Sequence, residues 1–379
     1  MKICILNVLH EPFDKRMFQK VGLSLASHGH EVVSITPSID PVPDTNGIRF
    51  ITIPPAPGKR HRLVSLWRLY KLGKAEQAQV YIAPEPESWV AALLIKFSSG
   101  GKVILDMHEH IPTEFAKFFP EFMQGFMTWL TVRFMRLFAC YTDHIILTRD
   151  SFEPSWTGLS VPRTTIINSN HKQPPCDAIP PELIERYGHR PTLIHQGIFG
   201  IERGSMQLLE AMKILVKDIP DLCCIVLGDY CYGSKEDYIM AIQDAGLKNN
   251  IHILDTVPYE EVPAYIAVSK IGLILFQPGP LNHTLAMPHK LFDYMREGRP
   301  VLVPDFSLEV KRIVEESDCG VLVDVAHPAA IATGIRELLN NPNEATRLGK
   351  NGRDSVEATY NWQAEEPRLL AIIDALEVD

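Results

Sequence analysis

Short apolar runs, each closed by turn residues and followed by a stretch of helical spacing, recur along this whole chain and restrict its fold more than any other feature. A strand covered by helices on both faces reads as a continuous apolar run, whereas a half-exposed strand alternates. Read this way, the first half is predicted to hold strands at Lys2 to Val8, Glu31 to Thr36, Ile48 to Ile53, Val80 to Ala83, Lys102 to Met107, His144 to Thr148 and Thr164 to Asn168. The pattern restarts with Thr192 to Gln196, Cys223 to Gly228, Ile251 to Leu254, Gly272 to Phe276, Pro300 to Val303 and Gly320 to Val323. Strand and helix in strict alternation imply parallel sheets, so two doubly wound α/β domains are expected. The boundary is placed in 172–181, where Pro174, Pro175, Pro180 and Pro181 suit a stiff extended linker. This gives domains at 1–171 and 172–360, with a last helix at about 361–379 expected to pack back on the first.

Charge narrows the partners. Residues 1–170 carry 18 Lys and Arg against 15 Asp and Glu, leaving 19 against 31 for the remainder. An acidic second half argues against a nucleic-acid binder, which needs a broad basic face. The seven cysteines are odd in number and lack a CxxC or zinc spacing, so a reducing, cytoplasmic setting is expected. Met1 to Leu6 pass directly into polar Asn7 and the charged run His10 to Arg16, so no secretion signal is expected, nor is there an uncharged span long enough to cross a bilayer. Two first-half segments differ from ordinary core helices. Residues 59–74 carry six Lys or Arg and no acid, with Leu63, Leu66, Trp67 and Tyr70 at helical spacing; residues 115–140 are crowded with Phe, Met and Leu around Trp129, Arg133 and Arg136. Basic helices bearing aromatics suit an anionic membrane surface, and peripheral attachment through both segments is expected.

The stretch Pro288 to Val301 carries the strongest chemical signal. Proline suits a helix start, the free amides of a first turn attract anions, and Gly298 marks the helix end before a buried strand. Pro288 is therefore a candidate phosphate seat, with Asp293 one to two turns further on. Together with Ser24 to Val32, Asp106 to Glu109, Gln196-Gly197 through Arg203-Gly204, and Gly228-Asp229, it resembles the GT-B fold glycosyltransferases of family 4, over almost the whole length. That resemblance implies two Rossmann-like domains facing across a cleft, the first binding an acceptor and the second a nucleotide sugar.

Carried over residue by residue, the resemblance implies that Arg203 contacts the donor pyrophosphate and that Asp293 holds the ribose hydroxyls. Gly197, Gly228, Asp229, Asn282, Thr284, Met287, Pro288 and Lys290 complete the expected donor site. Two departures stand out: Leu285 occupies the place of the family's first glutamate, and Ile198 that of the arginine in its Gly-Arg pair. Lys290, within a Pro-x-Lys-Leu-Phe-Asp-Tyr-Met stretch found in a subset of the family, is the candidate replacement cation. His108 is expected to contact the transferred sugar, with Glu109 beside it able to take the acceptor proton. Arg16 could face phosphate, and Glu85 and Glu87 the acceptor. No metal or cofactor is expected, since His108 and His110 lack further ligands in the sequence. The implied function is transfer of a sugar from a nucleoside diphosphate sugar to a glycan or polyprenyl-linked acceptor with retention, in bacterial surface polysaccharide synthesis. The alternatives are a non-catalytic GT-B partner subunit and a nucleotide-sugar 2-epimerase.

Overall fold

The computed structural model describes every residue except Pro57, Glu109, Phe118 and Asp379. The chain divides into two compact units, one formed by Met1–Asn168 with Trp362–Asp379 and the other by Ser169–Asn361. The break lies ahead of the proline stretch, because the chain is already tied to the second unit there. The Asn170 side-chain amide donates to Asp293 Oδ1 at 2.7 Å, and the Cys176 amide donates to Glu297 Oε2 at 2.8 Å. The prolines therefore belong to the second unit and do not form a free linker.

The first unit is built on a parallel sheet of β1 (Lys2–Leu6), β2 (Glu31–Pro37), β3 (Ile48–Ile53), β4 (Val80–Ala83), β5 (Lys102–Met107), β6 (His144–Leu147) and β7 (Arg163–Thr165), in the order β3-β2-β1-β4-β5-β6-β7. The second carries β8 (Thr192–Gln196), β9 (Cys223–Leu227), β10 (Ile251–Leu254), β11 (Ile271–Leu273), β12 (Val301–Pro304) and β13 (Gly320–Val323), in the order β10-β9-β8-β11-β12-β13. In each sheet the winding reverses beside the first strand, between β1 and β4 and between β8 and β11. Such a reversal opens a crevice at the carboxyl ends of the strands.

Three strands end two or three residues before their apolar runs predict, for identifiable reasons. β1 stops at Leu6 because the amides of Val8, Leu9 and His10 turn to the Glu85 carboxylate. β11 stops at Leu273, where Gln277 takes over the Leu275 carbonyl with its side-chain amide. The last first-unit strand runs Arg163–Thr165, beyond which Asn168 is held by Lys20 Nζ at 2.8 Å and not by a neighbouring strand.

The last helix, Trp362–Val378, completes the first unit's core. Trp362, Leu369, Ile372 and Ile373 pack among Ile3, Ile5, Val21 and Leu25, and the Trp362 indole donates to Ser24 Oγ at 2.9 Å. The basic segment forms the helix Lys59–Glu76, and its buried side is Ser65, Leu69 and Gly73. Leu63, Val64 and Trp67 point to solvent, with Lys71 Nζ over the Trp67 ring. The helix Glu121–Ala139 buries only Met135 and Ala139 and leaves Phe122, Phe126, Trp129, Phe134 and Leu137 exposed. Among the described residues, no helix is long and apolar enough to cross a membrane.

Candidate functional site

Each unit concentrates its polar side chains at the carboxyl ends of its strands, beside the reversal of winding. In the first unit, Asp106 near the end of β5 is fully buried, and Arg16, also buried, reaches it through Nε at 3.1 Å from both carboxylate oxygens. Burial pushes the Asp106 carboxyl up, but Arg16 outweighs it and holds the group down at about 2. Arg16 also donates to the Ile166 carbonyl at 3.2 Å. It is thus a core tie that joins the first helical segment to β5, with Nη1 buried and without a hydrogen bond among the described residues. His108 follows, with Nδ1 3.2 Å from Asp106 Oδ1 and Nε2 buried without a hydrogen-bond partner among the described residues. Burial pushes its pKa below the usual histidine value, so the imidazole is neutral near pH 7. Glu109, the expected proton acceptor, lies outside the described residues.

A second histidine, His10, stands edge-on to His108 with ring centroids 5.1 Å apart. Burial lowers its pKa, but Asp14 and Glu85 more than reverse this and raise it. Glu85 is buried, caps the helix Pro86–Ser99 and gathers the amides that end β1. Its carboxylate thus holds the first loop while also standing in the wall of the cavity beside that loop. Glu87 pairs with Arg62, whose Nη2 donates to Oε2 at 3.0 Å. These groups line one side of a cavity of about 590 Å³ whose remaining wall is apolar.

In the second unit the carboxyl end of β8 passes into a glycine-lined loop. At Gly197 and Gly228 the backbones cross so closely that a Cβ on Gly228 would lie 2.6 Å from the Gly197 carbonyl oxygen, so no side chain fits. The helical turn Ile201–Arg203 leads through Gly204, with φ of 84°, into the helix Ser205–Leu215. Arg203 lies over the Phe276 ring at 4.5 Å, and its Nε is buried without a hydrogen bond. Lys290, on the helix His289–Arg296, is buried with Nζ 3.0 Å from His195 Nε2 and near Gly197. Burial and then Arg203 push its pKa down to about 7. Among the described residues, neither cation has a carboxylate within ion-pair distance. A guanidinium and a lysine held near one another beside the close Gly197–Gly228 crossing are groups able to hydrogen-bond an anion.

Asp293 lies on the same helix as Lys290. It is 1% exposed, and its oxygens accept from Asn170 at 2.7 Å, Tyr259 at 2.5 Å and Gln196 at 2.9 Å. The carboxylate ties the end of β8 to the 289–296 helix. Leu285 and Met287 are buried, Asn282, Thr284 and Pro288 partly so, and Asp229 is exposed. Leu285 thus fills an apolar position where an acid would need a partner. Sequence reasoning missed His10, Arg62, His195, Gln196 as a side chain, and Tyr259. Of these, His10, in the loop after β1, and His195 and Gln196, at the end of β8, lay where a strand-end signal could have found them.

The comparisons with known proteins accord with this geometry. The family model "Glycosyltransferase Family 4" matches residues 16–167, and "Glycosyl transferases group 1" matches 183–355, leaving only the termini and a short connection unmatched. Sucrose-phosphate synthase of Thermosynechococcus elongatus superposes with a TM-score of 0.77 at 17% identity, covering 100% of this chain and 99% of that one. HepE of Anabaena, solved in complex with UDP-glucose, superposes with a TM-score of 0.73 at 13% identity over 99% of this chain and 100% of that one. Spore coat protein SA of Bacillus subtilis is 23% identical over 176 residues, 45% of each chain, and the chain spans about half the length of the curated relatives it matches. With two doubly wound units and both family models matched in order, the chain belongs to the GT-B glycosyltransferases.

Proposed function

We propose that the protein transfers a sugar from a nucleoside diphosphate sugar to a glycan or lipid-linked acceptor, with retention at the anomeric carbon. The observation that carries this reading is the pair Arg203 and Lys290, two buried or half-buried cations converging on the loop at Gly197 without a carboxylate partner among the described residues. A departing diphosphate meets the positive charge of Arg203 and, once Lys290 takes up a proton beside it, that of Lys290, and positive charge held in place this way lowers the barrier to bond breaking. Lys290 takes the place left by Ile198, so the pyrophosphate is gripped from the 289–296 helix. The amides of that helix's first turn, at Pro288, add their partial positive charge. Asp293 serves by positioning Gln196 at the loop. His108, neutral and with a free Nε2, is suited to a sugar hydroxyl, and the departing diphosphate takes the acceptor proton on the same face. No metal is needed because the protein supplies the positive charge.

HepE, whose structure holds UDP-glucose, supports a nucleotide sugar as donor. The exposed aromatic and basic faces of the 59–76 and 121–139 helices support attachment at the inner face of a membrane, in keeping with a role in surface polysaccharide assembly. The test is thermal stabilisation by UDP, GDP, ADP and CMP, repeated with Arg203→Ala. At least one nucleoside diphosphate is expected to raise Tm in the wild type and not in the variant; no response to any would sink the donor site. An inverted anomeric product, read by proton NMR, would refute retention.

A further inference from the structure

The cavity in the first unit has two unlike halves. One is polar: the imidazoles of His10 and His108, the Arg62–Glu87 pair and the committed carboxylate of Glu85. The other is apolar, formed by Leu63, Leu66, Val90, Ile111 and Phe115. Leu63 and Phe115 are themselves 70% and 42% exposed, so the apolar wall runs outward without interruption to the uncovered faces of the 59–76 and 111–116 helices. Its volume lies within the range of about 300–1,000 Å³ that small-molecule sites occupy. A wholly hydrophilic glycan would leave the apolar wall wet, and a free alkyl chain would strand the histidines.

The charges on the polar half decide what kind of head group fits. Arg62 pairs with Glu87 at 2.7 Å, His10 pairs with Asp14 at 3.4 Å, and Glu85 accepts from three backbone amides, so among the described residues every cation on this wall already has a carboxylate partner and none is left over for a phosphate. The buried, unpartnered Nε2 of His108 is a single neutral hydrogen-bonding atom. We propose that this cavity binds an acceptor with an uncharged, hydroxyl-bearing head directly joined to an apolar body, in the manner of an alkyl or aryl glycoside, with the head at His10 and His108 and the body along Leu63, Leu66 and Phe115. This rests on the transfer reading above for the word acceptor, but the binding itself does not require it.

The test uses the full chain with methyl, hexyl and octyl β-glucopyranosides below their micelle concentrations, and dodecyl phosphate as the anionic comparison, with binding followed by saturation-transfer NMR and calorimetry. Affinity is expected to rise about fourfold per added methylene until the wall is covered, as transfer of a buried methylene predicts. Leu66→Asp is expected to remove that dependence, lowering octyl glucoside affinity at least tenfold. Leu63→Glu, on an exposed position that tolerates charge, is expected to lower it several-fold with Tm unchanged. Nucleotide-induced stabilisation, which belongs to the other unit, is expected to survive both substitutions. Equal binding of methyl and octyl glycosides, tighter binding of the alkyl phosphate, or indifference to both substitutions would overturn the proposal. If nucleotides fail to stabilise the protein while chain-length dependence persists, the transfer reading falls and this one stands.

Discussion

At the scale of single residues, Lys290 is the group whose state the fold has altered most usefully. Its pKa of about 7 means that the free protein holds it largely neutral at pH 8, and a diphosphate arriving beside Arg203 restores the charge. Nucleoside diphosphate binding at pH 8 is therefore expected to take up a fraction of a proton approaching one, measured as a dependence of calorimetric enthalpy on buffer ionisation. Lys290→Met should abolish the uptake and weaken binding about tenfold to a hundredfold, the worth of one charge-assisted hydrogen bond of about 1.5–3 kcal/mol. Stability carries the same signature with a fixed sign. Between pH 7 and 10.5 the unfolded chain binds the more protons, so this lysine makes the free protein more stable as pH rises, and the variant should lose that rise. The Arg16–Asp106 pair gives the opposite case. Asp106→Asn leaves the Arg16 guanidinium buried and uncompensated, and should cost about 3–5 kcal/mol in urea unfolding. The wild-type contribution is fully present above about pH 4 and is lost as pH falls towards 2, because the folded carboxyl is held at about 2. The sequence showed Asp14-Lys15-Arg16 and Asp106 as separate signals and gave no sign that Arg16 and Asp106, 90 residues apart, meet. Such pairings depend on where the fold brings a helix start against a strand end, and no local spacing encodes that.

At the scale of elements, the apolar runs located nearly every strand, because a strand covered on both faces has no freedom to be polar. Their ends were legible only where glycine or proline closes them. β1 and β11 end where Glu85 and Gln277 intercept the backbone, and side-chain capture from a distant segment leaves no local trace. The 59–76 helix shows the other limit of pattern reading. Its regular apolar stripe suggests a buried face, yet Leu69 and Gly73 pack inward while Leu63 and Trp67 face water, because an approach as close as that at Gly73, where a Cβ would meet Ile95 Cδ1 at 2.8 Å, needs small residues. An aromatic face left outside beside cations has a measurable consequence. The protein is expected to co-sediment with vesicles containing phosphatidylglycerol at low salt and to be released as salt rises. Trp67→Glu and Phe126→Glu, both on exposed positions, should each reduce binding without lowering Tm, whereas unchanged sedimentation of the double variant would remove these helices from any membrane role.

At the scale of the whole molecule, the order of the chain separates what can fold alone from what cannot. The second unit is continuous from Ser169 to Asn361 and contains Asn170, Gln196, Arg203, Lys290 and Asp293 with all the contacts described for them. The first unit is discontinuous and is incomplete without the helix Trp362–Val378. That helix buries Trp362, Leu369 and Ile373 against the sheet, and Glu365 accepts from the Ile167 amide at 3.3 Å. Removing one large buried aromatic or aliphatic side chain costs about 2–5 kcal/mol, so losing several exceeds the roughly 5–15 kcal/mol that holds a domain folded. A fragment of residues 169–361 is therefore expected to fold and to keep nucleotide-induced stabilisation. A chain ending at residue 361 should keep that response but lose the cooperative unfolding of the first unit, together with alkyl glycoside binding. Differential scanning calorimetry with and without nucleoside diphosphate separates the two: one nucleotide-sensitive transition in each truncated protein, and a further nucleotide-insensitive contribution only in the full chain. If the chain ending at 361 retained both contributions, the terminal helix would not be part of the first unit's core. If the 169–361 fragment failed to respond to nucleotide while folded, Arg203 and Lys290 would need groups from outside their own unit to hold a diphosphate.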